Sequence, residues 1–264
     1  MAVAQVAEPA SDPLVNQMHL PFALDAGVAA RAAIGLVVLA TDQTLEHEFR
    51  AMLRLDGVAF YESRIHNSPT INPTTLAAME RDLTGAASLI LPGSRLDVIG
   101  YGCTSGTVVI GEEQVFARIR AARPGIACTT PITAAIAGMK ALDARRIALL
   151  TPYVDSVNRL LRDFILARDL AVPAVGSFNH EEDREVARMT TDSVKAAVRG
   201  LATQPGVDGV FVSCTSLRVA AIVEELEAEI GKPVTSSNHA LAWHCLRLAG
   251  CGDVVPGFGR LFRA

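Results

Sequence analysis

Short, wholly apolar runs recur along this chain, and each is followed by a stretch in which apolar residues return every three or four positions. The runs at 34–40 (IGLVVLA), 58–61 (VAFY), 97–102 (DVIGYG) and 126–129 (IACT) predict one set of strands. Those at 146–151 (RIALLT), 172–176 (VPAVG), 208–213 (DGVFVS) and 233–236 (PVTS) predict a second. Amphipathic helices are expected over 43–54, 74–90, 112–122, 155–168, 183–202 and 217–230. Strands that are apolar on both faces and separated by helices pack as parallel sheets covered on both sides, an α/β fold.

The two sets superpose. Cys103 and Cys214 lie 111 positions apart, and the same offset lays Leu36–Asp42 on Ile147–Tyr153. An offset of 106 lays GIACTTPITAAIAGMKAL on GKPVTSSNHALAWHCLRL. The chain therefore reads as a tandem duplication of a four-fold β-α unit. We expect two pseudo-symmetric lobes, each a four-stranded parallel sheet flanked by helices, with a cleft between them. The boundaries follow: an N-terminal arm at 1–30, a first lobe at 31–140, a second at 141–237, and a segment 238–264 that packs back on the first. Ligands of open parallel sheets bind beyond the carboxyl ends of the strands, so facing lobes aim both sets of strand ends into that cleft.

Two strand ends carry the same turn. VIGYGCTSGTVV (98–109) and GVFVSCTSLRVA (209–220) each run from a buried strand into Cys-Thr-Ser and then toward a helix. Unpaired N–H groups at a helix start lower a thiol's pKa and hold an anion, and flanking hydroxyls add donors. Gly102 and Gly106 would let a ligand approach the backbone. The plainer reading is a buried thiol beside an ordinary cap. Recurrence of the turn at matching positions favours the chemical reading, with Cys103 and Cys214 on opposite sides of one bound carbon.

Composition narrows the field. The 264 residues carry 24 Lys and Arg against 28 Asp and Glu, a net charge of −4, mixed along the chain without a basic patch. Nothing here favours nucleic acid or an anionic membrane, and no apolar run approaches the ~20 residues that span a bilayer. The first 30 residues hold no Lys or Arg and are interrupted by Glu8, Asp12 and three prolines, which is unlike a secretory signal. Five cysteines without framework spacing fit reduced thiols in a cytoplasm. GYGCTSG is one residue longer than the dinucleotide fingerprint, GCTSG is not a serine-nucleophile elbow, and Cys/His spacing for zinc is lacking, so no cofactor or metal is expected. Chains of this size commonly form symmetric oligomers, so a dimer or higher is expected.

Other strand ends nominate the rest of the cleft. Asp42 and Gln43 follow the first strand, and Asp42 equally suits a helix cap. Tyr153, at the matching turn of the second half, suits a donor to a substrate carboxylate or an interface tyrosine. Asn179 follows strand 172–176 and suits a carboxylate ligand or a cap, while His180 heads a charged run that reads as solvated. Arg64 and His66 are placed on a long loop able to cover the cleft, and Cys128 and Cys245 read as core.

The paired Cys-Thr-Ser turns, LLTPYVDSVN and SSNHALAWHCLR resemble the aspartate/glutamate racemase superfamily, and within it the branch of maleate cis-trans isomerases and arylmalonate decarboxylases. ATDQTLEHEF and YESRIHNSPTINP are similar to ectoine-utilisation proteins of that branch. The resemblance implies cofactor-free chemistry on a small carboxylate or dicarboxylate, with Cys103 as nucleophile and Cys214 as partner acid/base. It also implies carboxylate-binding roles for Thr104, Ser105, Tyr153, Asn179 and Thr215, and Ser216 in the second turn is a further substrate-binding candidate. The decarboxylases typically keep only the second cysteine, so two cysteines favour isomerase chemistry. A two-cysteine racemase of an aspartate-like amino acid, in ectoine catabolism, and an arylmalonate-type decarboxylase are the alternatives; a small-acid binding protein is the non-enzymatic one. Asp42 stands where maleate isomerases carry an asparagine, which sets a carboxylate against a dicarboxylate.

Overall fold

The computed structural model describes residues 15–264. Residues 1–14 of the expected arm lie outside the described residues. Residues 15–31 form no helix or strand and leave Met18, Leu20, Phe22 and Leu24 exposed. The eight strands are β1 (Ala32–Leu39), β2 (Val58–Ile65), β3 (Val98–Tyr101), β4 (Ala127–Thr129), β5 (Arg146–Thr151), β6 (Ala171–Ser177), β7 (Gly209–Val212) and β8 (Val234–Ser236). They form two parallel four-stranded sheets with the same order, β2-β1-β3-β4 and β6-β5-β7-β8. The inner strands β1, β3 and β7 are buried at every residue, as strands covered on both faces must be. Edge strand β6 leaves Pro173 and Val175 exposed; proline is tolerated at an edge because its missing N–H breaks no inner ladder.

Helices connect and cover the strands. α1 (Leu45–Met52), α2 (Pro73–Ala77), a 3-10 turn (Ala78–Asp82), α3 (Leu83–Leu89), α4 (Thr104–Ile110), α5 (Glu112–Ala122) and α6 (Pro131–Ala141) accompany the first sheet. α7 (Asp155–Leu166), α8 (Asp183–Val186), α9 (Thr191–Ala202), α10 (Val223–Ile230) and α11 (Ser237–Leu248) follow in the second half, with α11 packing on α6 and α1.

Three helices differ from the periodic pattern. Stretch 74–90 divides into α2, the 3-10 turn and α3. Stretch 183–202 breaks because Thr190 Oγ1 accepts the Ser193 N–H at 3.2 Å and starts α9 afresh. Residues 214–219 are not helical; a 3-10 turn at Ala220–Ile222 precedes α10, which ends at Gly231 with φ 72°. Strand β2 runs to Ile65, so Arg64 lies in the sheet rather than on a covering loop, where its guanidinium donates to the Leu39 and Asp42 carbonyls.

A buried carboxylate ties the two halves together. Glu48 on α1 accepts the Val219 and Ala220 N–H groups, both at 2.7 Å, and the Asn238 side-chain amide at 2.8 Å. Burial pushes its carboxyl up to about 7 despite these donors. The folded protein thus keeps a proton that the unfolded chain has released between the ordinary 4.5 and about 7. That contribution to stability is present below the lower value and lost as pH rises through the upper one. Glu48→Gln, which removes the titration, is therefore expected to flatten the decline in unfolding free energy between pH 5 and pH 8. Glu48→Ala orphans three buried donors and is expected to cost about 3 kcal/mol. Urea unfolding of the three proteins at both pH values checks this.

Candidate active site

The strand ends of both sheets meet at one enclosed cavity of about 20 Å³, lined by Cys103, Thr104, Ser105, Tyr153, Asp183, Cys214 and Thr215 among others. β3 delivers Cys103, β7 delivers Cys214 and β5 delivers Tyr153, as the carboxyl ends of parallel strands do. Residues Asn67, Ser68, Thr70, Ile71 and Leu76 close the other side. Their segment is held down by the second half: Thr70 bridges Glu182 in antiparallel fashion, Ile71 N–H donates to the Glu181 carbonyl and Asp183 N–H to the Pro69 carbonyl, each at 3.0 Å. A cavity of this size holds about one water, and the strap 67–76 forms part of its wall.

The two turns are similar in sequence but differ in geometry. Cys103 caps α4, and its Sγ accepts the Gly106 N–H at 3.2 Å. Cys214 has φ 130°, a strained value for a residue with a side chain, and no helix begins at its turn. One hydroxyl holds both turns: Ser237 Oγ accepts the Cys214 N–H at 2.9 Å and is hydrogen-bonded to Thr104 Oγ1 at 2.7 Å. Asn238 donates to the Thr215 carbonyl at 2.7 Å, and Thr44 Oγ1 to the Ser216 carbonyl at 2.8 Å. Ser237 and Asn238 open α11, and they reach the thiol turns because β8, which leads into them, lies beside β7.

Burial decides the thiols' acidity. A lowered pKa is the expectation from a helix start, but enclosure pushes Cys103 up to about 11, against the opposing Gly106 N–H and Ser105 hydroxyl, with Asp183's charge adding to the rise. Cys214 is pushed higher still, by burial first and Asp183 next. Tyr153 is buried beside both thiols, and its phenol is raised well above its ordinary range, so it is a hydrogen-bond donor at neutral pH. The glycines also differ from expectation. A Cβ at Gly102 would stand 2.5 Å from Leu45 Cδ1, and one at Gly106 would stand 2.6 Å from the Tyr101 hydroxyl and 2.9 Å from Cys103 Sγ. These positions are filled by the protein's own packing rather than open to a ligand.

The remaining candidates separate. Asp42 is buried, and its Oδ1 accepts the Thr44 and Leu45 N–H groups at 2.8 Å, which is capping of α1; its Oδ2 has no hydrogen-bond partner, and burial raises its pKa. Ser216 is buried behind the turn and donates to Asp183 Oδ1 at 2.7 Å. Gln43 and Asn179 are exposed and do not line the cavity. Asn179 sits at φ 53° with its N–H on Ser177 Oγ, so it serves the turn after edge strand β6 and points no ligand group inward. Asp183 was missed: it lies in the charged run EEDRE, which reads as solvated, yet it is buried and faces both thiols. His239 has both ring nitrogens engaged, by Thr235 Oγ1 and the Phe258 carbonyl, and burial lowers it to about 4. Among the described residues no group of three His, Cys, Asp or Glu side chains is arranged to hold a metal, and no helix is long and apolar enough to cross a membrane.

Two matching parallel sheets with a thiol turn from each at one enclosed cavity define a class of two-lobed α/β protein. The family model described as arylmalonate decarboxylase matches residues 95–262. The chain is 30% identical to the maleate isomerase of Nocardia farcinica over 240 residues, covering 87% of this chain and 95% of that one. It is 39% identical to the arylmalonate decarboxylase of Bordetella bronchiseptica over 140 residues, which span 52% of this chain and 58% of that relative. Its structure matches that of a Nocardia farcinica maleate cis-trans isomerase variant carrying a covalently bound succinylcysteine intermediate, with TM-score 0.80, 28% identity and coverage of 88% and 98%. A doubly substituted arylmalonate decarboxylase in its liganded form matches with TM-score 0.78, 30% identity and coverage of 88% and 99%. The chain belongs to the arylmalonate decarboxylase family.

A raised thiol pKa has a direct readout. Carbamidomethylation of Cys103 by iodoacetamide, followed by mass spectrometry, is expected to be slow at pH 8. It should rise about tenfold per pH unit until the pH nears 11.

Proposed function

We propose that this protein is a cofactor-independent isomerase of a small carboxylic acid that works through the thiol pair Cys103 and Cys214. The observation that carries the reading is that both thiols, delivered by matching strands of two separate sheets, line one small cavity together with Tyr153. Proton removal or nucleophilic addition next to a carboxylate generates a planar, doubly charged enediolate. Pre-placed donors must stabilise it. Thr104, Ser105 and Thr215 supply hydroxyls at the cavity wall, and Tyr153 supplies a buried phenol that stays protonated.

The two thiols differ in a way that divides the labour. Both sulfurs are favoured by a backbone N–H, but Asp183's charge bears on Cys214 directly after burial and on Cys103 only behind two donors. Cys103 is therefore the more acidic and the one to act as thiolate; Cys214 holds its proton more firmly and serves as acid. On a cis double bond, Cys103 thiolate adds to one alkene carbon, and the electron pair moves into the adjacent carboxylate. The resulting single bond rotates, and elimination of the same thiolate restores the alkene as trans. Cys214 can lend a proton to the intermediate and take it back before elimination. On a saturated acid the same pair acts on one carbon: Cys103 thiolate takes the α-proton, and Cys214 thiol delivers another to the opposite face. A succinylcysteine in the Nocardia farcinica relative supports a covalent cysteine route in this family. Presence of both thiols favours isomerisation over simple decarboxylation.

Proton NMR in deuterium oxide with maleate, both enantiomers of aspartate and an arylmalonate tests the reading. Turnover or α-proton exchange is expected with the native chain, and Cys103→Ser and Cys214→Ser should each lower it by about 10³-fold or more. Activity that survives replacement of both thiols would sink the proposal.

A further inference from the structure

The cavity contains a carboxylate without a counter-cation. Asp183 is buried, lines the same wall as both thiols, and has one hydroxyl on each oxygen: Thr41 Oγ1 donates to Oδ2 at 2.6 Å and Ser216 Oγ to Oδ1 at 2.7 Å. Two hydroxyl donors aimed at two oxygens suit an ionised carboxylate, which has acceptor capacity for about two bonds more. No lysine, arginine or histidine lines the cavity among the described residues, and Asp183 takes part in no ion pair there. A buried charge of this kind is stable only when something supplies the opposite sign. The protein's own side chains do not, and the enclosed site leaves the ligand to do so.

We infer that Asp183 is a specificity-determining residue that receives an ammonium group of the substrate, so that the site takes small zwitterionic acids and rejects dianions. A dianion would enter a water-poor cavity already holding one negative charge, with hydroxyls and an amide but no cationic side chain to meet it, and like charges repel strongly where the dielectric is low. A zwitterion distributes itself correctly: its carboxylate faces Thr104, Ser105 and Thr215, and its ammonium forms a charge-assisted hydrogen bond with Asp183. Zwitterionic acids differ from the dianionic substrate for which the maleate isomerase relatives are named, and the carboxylate that selects them also bears on the chemistry. Asp183's charge acts on both thiols, so a bound ammonium offsets that charge and favours the thiolate when the right ligand is present. This rests on the two-thiol reading for its chemistry, whereas its selectivity is a property of binding.

Titration calorimetry of the full chain with matched pairs tests it: alanine against propionate, 2-aminobutyrate against butyrate and aspartate against succinate, both enantiomers of each amino acid, with maleate alongside. The aminated partner is expected to bind at least about tenfold more tightly than its desamino analogue, and maleate should bind more weakly than any amino acid that binds. Asp183→Asn should shrink the preference within a pair to about threefold or less. The native chain alone decides the first comparison, so the result does not depend on the variant's folding. Desamino acids or maleate binding as tightly as the aminated acids would overturn the inference. Thiol-dependent turnover of maleate in that case would leave the isomerase reading standing. Amino-acid selectivity with α-proton exchange that survives loss of both cysteines would do the reverse: the thiol reading would fall and Asp183's role would remain.

Discussion

The site depends on one hydroxyl that stands between the two halves of the chain. Ser237 Oγ takes the N–H of Cys214, a residue held at φ 130°, and is bonded to the hydroxyl of Thr104 beside Cys103. Strained backbone persists only where its surroundings over-determine it, and here the restraint comes from β8, the strand that borders β7. Asn238 and Glu48 extend the same restraint. The Asn238 amide grips the Thr215 carbonyl and the Glu48 carboxyl, while Glu48 grips the two N–H groups that follow the Cys214 turn. The thiols are therefore positioned by buried polar bonds between elements far apart in sequence, and each such bond must be complete because unpaired polar groups are costly in a dry interior.

Enclosure is the second determinant, and it acts against the first intuition about these turns. A cap position at a helix start favours a thiolate, but the same turn lies at the bottom of a closed cavity, and removing a thiolate from water outweighs one N–H. Both thiols consequently rest as neutral groups, and Tyr153 rests as a neutral donor beside them. The strap that seals the cavity is secured by backbone pairing of Thr70 and Ile71 with Glu182 and Glu181, next to Asp183. The strap and the segment that carries Asp183 are thus one connected structure.

Duplication explains why the architecture is symmetric while the chemistry is not. Both sheets have the same strand order and both deliver a Cys-Thr-Ser turn. Only the first turn opens directly into a helix, so only Cys103 receives a cap bond of that kind, and the second turn is held instead by strain and by Ser237. The two thiol turns differ because the chain continues differently after each.

Much of the fold was legible in the residues. Apolar runs such as IGLVVLA and RIALLT, spaced by amphipathic stretches, determine parallel strands without tertiary information, because a strand buried on both faces has no polar positions to spare. The internal offset of 111 then places Cys103 and Cys214 at the carboxyl ends of equivalent strands, and Tyr153 opposite Asp42 at the ends of another equivalent pair. The charged run that contains Asp183 conceals that residue, since its neighbours Glu181 and Arg184 are exposed and local pattern cannot single out the one carboxylate that turns inward. Asn179 shows the converse, a plausible ligand by position that the end of an edge strand leaves in solvent. Periodicity by itself determined which segments are buried and which strand ends share a side. Burial and partners across the interface decided the protonation of each thiol, the capping use of Asp42 and the inward turn of Asp183, because electrostatics in a protein is set by what surrounds a group in space and not by its neighbours along the chain.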